Sequence, residues 1–296
     1  MNRMNARFKT KFKLSTIGWI FILPATLLLL LTKFWPIIRA LVLSFQSGVG
    51  LNTSFVGAKN YIRMLHDNLL HTSIFNTFFY LLLQVPIMLI IAIILAVILN
   101  DSRLKLKGFF RTAIFLPCAT SLVSYAIIFR SLFARDGFIN LILMKTNIIN
   151  NPINWLSSPW PARIVIIIAL TWRWTGYNMI FYLAGLQSID PSIYEAAKID
   201  GASAFTSLRK ITIPLLKPMI LLTSITSISG TLQLFDETKN LTNGGPANST
   251  ISISQYIYNL SFAYSPQFGY AAAVSFLVLI MVAILSFTQM KVGDRR

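Results

Sequence analysis

Carboxylate and histidine side chains, which most often handle protons or metals in proteins, are scarce in this 296-residue chain. The nine acids fall in predicted loops or at the ends of apolar runs, and the two histidines, His66 and His71, lie together in one loop. Carriers driven by proton or sodium gradients usually bury such groups at membrane depth, where a charge is retained only for function. The sequence therefore does not favour a mechanism driven by a proton or sodium gradient.

Other reaction chemistry is also missing from the sequence. It contains no G-x-x-x-x-G-K-[ST] phosphate loop, so the chain does not bind ATP by that route. It shows no nucleophile with a base and no paired acids of the kind that a membrane-embedded enzyme needs. His66 and His71 have only Asp67 as a neighbouring ligand type, which favours a solvated loop over a metal site.

A cluster in the middle of one apolar run offers a different chemistry. It consists of Trp172, Arg173, Trp174, Tyr177 and Asn178. Aromatic faces stack on the C–H surfaces of sugar rings, and Arg and Asn donate to hydroxyl groups, so the composition suits a carbohydrate. The alternative is that the arginine only ties helices together through backbone carbonyls, and the sequence leaves both open.

Hydroxyl side chains repeat on one face of a later apolar run. Thr223, Ser227 and Thr231 are four residues apart, with Gly230 and Gln233 beside them. Such a stripe can border a polar pathway, although in membrane bundles hydroxyls often only bond to neighbouring helices.

The stretch Tyr194 to Leu216 interrupts the apolar sequence with charges and helix-forming residues. Asp190 can cap a helix there, with a proline at the first position; alternatively Ser192 and the glutamate three residues later form a capping box. Gly201 is expected to end or turn this first helix, after which a second amphipathic segment runs to Pro214. Small side chains on such a surface helix permit close approach by a groove of another protein, whereas the plain alternative is a loop anchored on the membrane surface.

The elements that carry these residues are predicted to be membrane helices. The chain is 55% hydrophobic and 12% charged, which is too apolar for an ordinary soluble domain. Uncharged runs of 18 or more residues are long enough to cross the roughly 30 Å hydrocarbon core, and only helices suit such continuous runs. The predicted spans are Ile17–Phe45, His71–Leu99, Thr112–Phe129, Ile164–Leu186, Pro218–Phe235 and Phe268–Gln289.

The formal net charge of +17 is distributed by topology and does not indicate nucleic-acid binding. Sixteen of the 26 Lys and Arg residues lie before the first span, after the second, after the fourth and at the end of the chain. By the positive-inside rule, both termini and the Tyr194 to Leu216 stretch face the cytoplasm. The predicted organisation is a basic cytoplasmic N-terminus (1–16), a transmembrane domain (17–290) with a cytoplasmic loop at about 190–216, and a cytoplasmic C-terminus (291–296).

The charged loop resembles the EAA motif of permease subunits in binding-protein-dependent ABC importers. That pattern is E-A-A, three residues, Gly, nine residues, Ile, one residue, Leu and Pro. Ile213 replaces the leucine, which is a conservative apolar change. The matching positions are Glu195, Ala196, Ala197, Gly201, Ile211 and Pro214.

Three further segments resemble carbohydrate-importing permeases, the group that includes the maltose, lactose and multiple-sugar systems. They are Phe115–Phe133, Trp172–Ile189 and Phe235–Thr250. The resemblance implies an all-α membrane protein with six transmembrane helices and the ABC importer type I permease fold. It also implies that the EAA residues dock on an ATPase subunit, and that the sugar site is bordered by the segment from Trp174 to Gly176, the region around Ser227 and Thr231, and the stretch after Pro117. Together with the aromatic cluster, the predicted pathway residues are Trp172, Arg173, Trp174, Gly176, Tyr177, Asn178, Ser227 and Thr231.

The function implied by the resemblance is that of a transport subunit, not an enzyme. It would move a sugar or small oligosaccharide across the bacterial cytoplasmic membrane, with no cofactor of its own, since ATP and Mg would be bound by partner subunits. The implied partners are a second homologous permease, an ATPase dimer, an extracytoplasmic solute-binding protein and membrane lipid. The alternatives are the same machinery carrying a glycerol phosphate or polyol, and a gradient-driven secondary carrier.

Overall fold

The computed structural model of the protein describes residues 18–49 and 52–293. The predicted basic N-terminus (1–16), residue 17 and residues 294–296 of the predicted C-terminal segment lie outside the described residues.

Helices form most of the described chain. In chain order they are α1 Gly18–Ser44, α2 Lys59–Met64, α3 Asn68–Asn100, α4 Lys107–Ala119, α5 Leu122–Leu132, α6 Phe138–Lys145, α7 Pro159–Gln187, α8 Pro191–Ile199, α9 Ala204–Leu215, α10 Lys217–Leu232, α11 Ile253–Tyr258 and α12 Phe268–Gly293.

Among the described residues, four continuous helices are long and apolar enough to cross a membrane, namely α1, α3, α7 and α12. Two bent pairs, α4 with α5 and α9 with α10, raise the number to six if each pair counts as one span. The pairs are bent by 100° and 70° respectively. Helical structure is therefore present at all six predicted span positions, but the third and fifth belong to bent pairs.

The third predicted span, Thr112–Phe129, is interrupted where α4 meets α5. Thr120 and Ser121 have extended backbones, with ψ of 150° and 136°. The Thr120 hydroxyl donates to the carbonyl of Pro117 at 2.7 Å. A hydroxyl that bonds locally competes with the helical ladder, and Pro117 has already removed one backbone donor from it. The helix consequently ends at Ala119.

The described chain divides into two compact units. The first contains the described residues up to Leu65 together with Leu260–Phe276, and the second contains His66–Asn259 together with the described residues from Leu277 on.

In the first unit, a short β-hairpin is added to the predicted all-α architecture. Strand β1 (Gln46–Val49) pairs antiparallel with β2 (Asn52–Phe55). The Asn60 side-chain amide donates to the carbonyls of Ser44 and Gln46 at 2.8 and 2.7 Å, which fixes α2 against the end of α1. Within α1 the chain makes a π-helical turn at Leu30–Phe34, just before the proline at position 36. Proline has no backbone N–H, so the regular helical hydrogen-bond pattern cannot continue through it, and the wider π-helical turn is a local adjustment to this interruption.

The second unit is built around α3 and α7, which pack along each other and against α4 and α10. One buried apolar cluster includes Tyr80 and Leu170, and a second includes Val85 and Met179. On α3 and on α7, polar residues lie between the positions that belong to the two clusters, and these include the buried Gln84. A polar layer thus separates two apolar layers at the middle of both helices.

Candidate functional site

A cavity of about 530 Å³ lies in this polar layer of the second unit. Its walls come from α3, α7, α10, the first residue of α5 and the segment that follows α10. Six of the residues that the sequence predicts for a substrate pathway line it, namely Arg173, Trp174, Tyr177, Asn178, Ser227 and Thr231. The structure thus brings residues of two distant sequence segments to one enclosure.

The other two predicted pathway residues lie elsewhere. The Trp172 ring stacks on Tyr125 with a 4° interplanar angle and a centroid distance of 6.1 Å, and is not among the cavity-lining residues. Gly176 faces α4, where a Cβ on it would overlap the carbonyl oxygen of Ile114. Gly176 therefore allows two helices to approach closely.

Arg173 fits both interpretations that the sequence left open. Its side chain is buried, and Nη2 donates to the carbonyl of Thr120 at 3.3 Å, so it ties α7 to the break between α4 and α5. Its guanidinium carbon lies 5.2 Å from the ring centre of Tyr125 and 5.7 Å from that of Trp174, within the range of cation–π attraction. The same side chain lines the cavity.

Glu237 is a cavity residue that the sequence analysis missed. Sequence reasoning placed it in a loop after the fifth span, but in the structure it is only 5% exposed and lines the cavity beside the half-buried Asp236. It shares the cavity wall with Trp174 and Arg173. The only sequence signal is that both acids follow the apolar run directly, after Phe235.

Amide and hydroxyl groups also line the cavity. The Thr231 hydroxyl lies 3.3 Å from Oε1 of Gln84, which links α10 to α3. Asn178 donates to the carbonyl of Trp174 at 3.0 Å and approaches the sulfur of Met88 at 3.5 Å. This part of the cavity therefore combines the apolar Met88 with a few polar groups, a mixture that is typical of small-molecule sites.

The hydroxyl stripe on α10 divides between two roles. Ser227 and Thr231 line the cavity, whereas Thr223 is buried against α7. The Tyr182 and Thr223 hydroxyls are 2.6 Å apart, and Thr223 also donates to the carbonyl of Met219 at 2.8 Å. Thr223 thus accepts from Tyr182 and connects the two helices.

The 190–216 loop begins with a capped helix. The Asp190 carboxylate accepts a 2.9 Å hydrogen bond from the backbone N–H of Ser192, and Pro191 is the first residue of α8. Asp190 is therefore the cap, of the two starts that the sequence allowed. This hydrogen bond lowers the pKa of the Asp190 carboxyl, because it stabilises the ionised form.

Gly201 ends α8 in the left-handed conformation, with φ of +78°. The N–H of Gly201 bonds to the carbonyl of Lys198 at 3.1 Å, and the N–H of Ala202 bonds to that of Ala197 at 2.9 Å. This is the Schellman pair of hydrogen bonds, which favours glycine at this position. Ser203 then caps α9 through the N–H of Thr206.

The EAA-like residues lie on these two helices. Glu195 and Ala196 are exposed and Ala197 is buried. On α9, Ile211 is half-buried and Pro214 is exposed. The hydroxyls of Tyr194 and Thr212 are 3.1 Å apart and connect α8 to α9.

The 190–216 loop ends at the buried Leu216, where the chain bends by 70° into α10. Gly185 of α7 lies against this residue, since a Cβ on Gly185 would be 2.7 Å from Cδ2 of Leu216. The bend is therefore held against the end of α7.

The 235–250 loop, which contains the Asn-Gly-Gly-Pro segment, is fastened to the same unit. Asn243 and Gly244 have positive φ values of 52° and 82°, and the Gly245–Pro246 peptide bond is cis. The loop carbonyls accept hydrogen bonds from two arginines: Arg163 Nε donates to Ser249 at 2.9 Å, and Arg130 Nε donates to Leu241 at 2.9 Å.

A comparison with protein families matches residues 68–293 to the model described as "Binding-protein-dependent transport system inner membrane component". The chain is 52% identical, over 94% of both chains, to the lactose transport system permease protein LacF of Rhizobium radiobacter. It is 32% identical to the trehalose/maltose transport system permease protein MalF of Thermococcus litoralis, over 99% of this chain and 98% of that one.

Among solved structures, the chain is similar to one from a bacterial ABC transporter involved in import of the acidic polysaccharide alginate. The TM-score is 0.85 at 22% identity, and the match covers 98% of this chain and 99% of that chain. This likeness confirms the predicted type I permease fold.

The family match also confirms that the chain is a transport subunit and not an enzyme. The predicted partners are confirmed at the level of the family, whose permeases work with a solute-binding protein, a second permease and ATPase subunits. The chain belongs to the binding-protein-dependent transport system inner membrane components, as a multi-pass permease subunit of an ABC importer.

Proposed function

We propose that this permease translocates a neutral sugar of small oligosaccharide size, with a lactose-type disaccharide as the first candidate. The observation that carries the proposal is the 52% identity, along 94% of both chains, to a protein named as a lactose transport permease. The permease named for trehalose and maltose supports the wider class of cargo.

The cavity supports a cargo of this size and chemistry. Its volume of about 530 Å³ is within the range of about 300–1,000 Å³ that small-molecule sites occupy. Trp174 and Tyr177 are partly exposed and supply apolar ring faces, and their rings meet edge to face at 5.9 Å. Asn178, Ser227 and Thr231 supply donors and acceptors that suit hydroxyl groups.

We infer that the 190–216 loop couples this pathway to an ATPase partner, which binds the ATP and Mg. The exposed positions of α8 and the turn at Gly201 form the docking surface, and the exposed Ile199 and Phe205 supply apolar contact area. We further propose that both termini and this loop face the cytoplasm, because most of the cations lie on that side.

Uptake into vesicles tests the transport proposal. The chain is reconstituted with its second permease and ATPase subunits, and the solute-binding protein is added outside together with labelled lactose, maltose or glycerol 3-phosphate. We expect ATP-dependent uptake of at least one neutral sugar and none of the phosphate. Uptake of glycerol 3-phosphate alone would assign the machinery to phosphorylated polyols, and gradient-driven uptake by the isolated chain would refute the importer mechanism.

Cysteine labelling tests the orientation. In a Cys118→Ser background, Lys198→Cys in α8 and Ser265→Cys before α12 each place one thiol at an exposed position. A membrane-impermeant maleimide should label Ser265→Cys in intact cells and Lys198→Cys only after permeabilisation. The reverse pattern would overturn the proposed orientation.

A further inference from the structure

The cavity is lined by more acidic than basic side chains. The lining residues include one cation, Arg173, and two acids, Asp236 and Glu237. Arg173 and Glu237 are 6% and 5% exposed, whereas Asp236 is half-buried and keeps more contact with solvent. The two buried charges lie on different walls, one on α7 and the other in the segment after α10.

Arg173 is incompletely satisfied. Nη2 bonds to the Thr120 carbonyl, but Nε and Nη1 are buried without a hydrogen-bond partner among the described residues. The side-chain oxygen of Asn178 is in the same situation, one turn further along α7. Buried polar atoms of a native protein nearly always have partners, and a charged group left without one is costly. These three atoms are closed off from solvent in this structure, although both side chains line the cavity. A small rotation of either side chain would present two donors and one acceptor to a ligand that can both accept and donate.

A sugar hydroxyl meets this demand because it carries one donor and two acceptor lone pairs. Adjacent hydroxyls can accept from the guanidinium and donate to a carboxylate. A carboxylate on the cargo can only accept, so it could bond to Arg173 but could not donate to the Glu237 carboxylate, which would repel it.

We propose that Arg173 and Glu237 form a selectivity pair that reads adjacent hydroxyls of a neutral sugar and excludes anionic cargo from the cavity. Arg173 supplies the donors and Glu237 supplies the acceptor and the repulsion. The inference rests on the proposed function, since it assumes a sugar in this cavity. It makes Glu237 a specificity-determining residue of the permease itself, acting in addition to selection by the solute-binding protein.

Equilibrium binding to the assembled complex tests the pair directly. The permease, its second permease and the ATPases are reconstituted in nanodiscs with a non-hydrolysable ATP analogue and without the solute-binding protein, so that its preference does not enter. The probes are lactose and the analogue in which the galactose C6 alcohol is oxidised to a carboxylate. We expect the wild-type complex to bind lactose at least about tenfold more tightly, which corresponds to about 1.4 kcal/mol.

Glu237→Gln keeps the size of the side chain and removes the charge, so the ratio should fall to about threefold or less. Glu237→Asp keeps the charge and should retain discrimination. Asp136→Asn is the matched control, since it removes one negative charge at an exposed acid that does not line the cavity, and it should leave the ratio unchanged. A ratio that stays at the wild-type value in Glu237→Gln, or that falls equally in Asp136→Asn, would overturn the proposal.

If the variants fail to assemble, the wild-type complex still tests the proposal. Equal affinity of the wild-type complex for lactose and for its carboxylate analogue would overturn the proposal. Failure of the sugar proposal is distinguishable, since neither probe would then bind to wild type. Neutral sugars would in that case also fail in the vesicle assay.

Discussion

Gly176 of α7 packs directly on the backbone of α4, because a Cβ on it would overlap the carbonyl oxygen of Ile114 and lie 2.9 Å from the Cα of Phe115. Backbone atoms cannot move away as a side chain can. The close approach therefore depends on the absence of a side chain at position 176.

Gly176→Ala should separate α7 from α4 and lower the free energy of unfolding by about 1–3 kcal/mol, the usual cost of overpacking. The thermal midpoint of the purified permease complex in detergent measures this. Gly185→Ala in the same helix is the matched control, because its Cβ meets only side-chain atoms, of Leu216 and Met219, which can move aside at a cost of about 0.5–1.5 kcal/mol. Equal midpoints for the two variants would contradict the assignment.

Gly201→Val should leave the permease in the membrane but reduce co-purification of the ATPase subunits and ATP-driven uptake. A β-branched side chain is strained by about 1–2 kcal/mol at a positive φ, and the turn after α8 would distort. Gly201→Asn is the control, since asparagine tolerates this conformation, and no atom lies within 4 Å of the added Cβ. Normal ATPase recovery with Gly201→Val would count against a docking role for this turn.

Arg163→Met should loosen the 235–250 loop. It removes a buried donor to Asn76 Oδ1 at 3.0 Å and to the Ser249 carbonyl at 2.9 Å, and charged hydrogen bonds of this kind contribute about 2 kcal/mol. Faster proteolysis within the loop, together with a lower thermal midpoint, is the expected readout.

Arg130→Met serves as the comparison for Arg163. Its Nε also donates to a carbonyl of this loop, but the side chain is exposed, so the loss should be about 0.5–1 kcal/mol. A larger effect at Arg130 than at Arg163 would show that burial does not determine how strongly the loop is held.

Trp174→Ala should raise the sugar concentration that gives half-maximal uptake by about tenfold while the complex still assembles, because it removes an aromatic wall of the cavity. Trp172→Ala should chiefly lower stability, because that ring stacks on Tyr125 and lies outside the cavity. Uptake measured at several sugar concentrations separates the two effects. If Trp172→Ala raised that concentration and Trp174→Ala did not, the cavity would not be the sugar site.

The apolar runs were sufficient to predict where the long helices lie, because burial in hydrocarbon requires continuous apolar sequence and internal backbone hydrogen bonds. The cap of α8 and the turn at Gly201 were also predictable in kind, since both depend on local backbone chemistry. Local sequence did not distinguish Asp190 from Ser192 as the cap, because both offer a suitable oxygen at a suitable spacing.

Features that depend on distant parts of the chain were not predictable. The break at Thr120 lies in an uncharged run that predicts one continuous helix. The carbonyl of Thr120 accepts a hydrogen bond from Arg173, which is more than 50 residues away in sequence. Glu237 reads as a loop acid because nothing near it in sequence shows that the chain after α10 borders the cavity. Gly176 reads as one more pathway residue, although its role is set by the backbone of α4.

The contact between Leu216 and Gly185 places the end of the 190–216 loop on α7, the same helix that lines the cavity. Gly185 lies eleven residues beyond Trp174 on α7, or about 16 Å along a helix that rises 1.5 Å per residue. If the 190–216 loop moves with an ATPase partner as proposed, a rotation about the bend at Leu216 would push on α7, the helix that also carries the cavity-lining Trp174. One displacement of α7 would then link ATP hydrolysis in the partner subunits to solute release from the cavity.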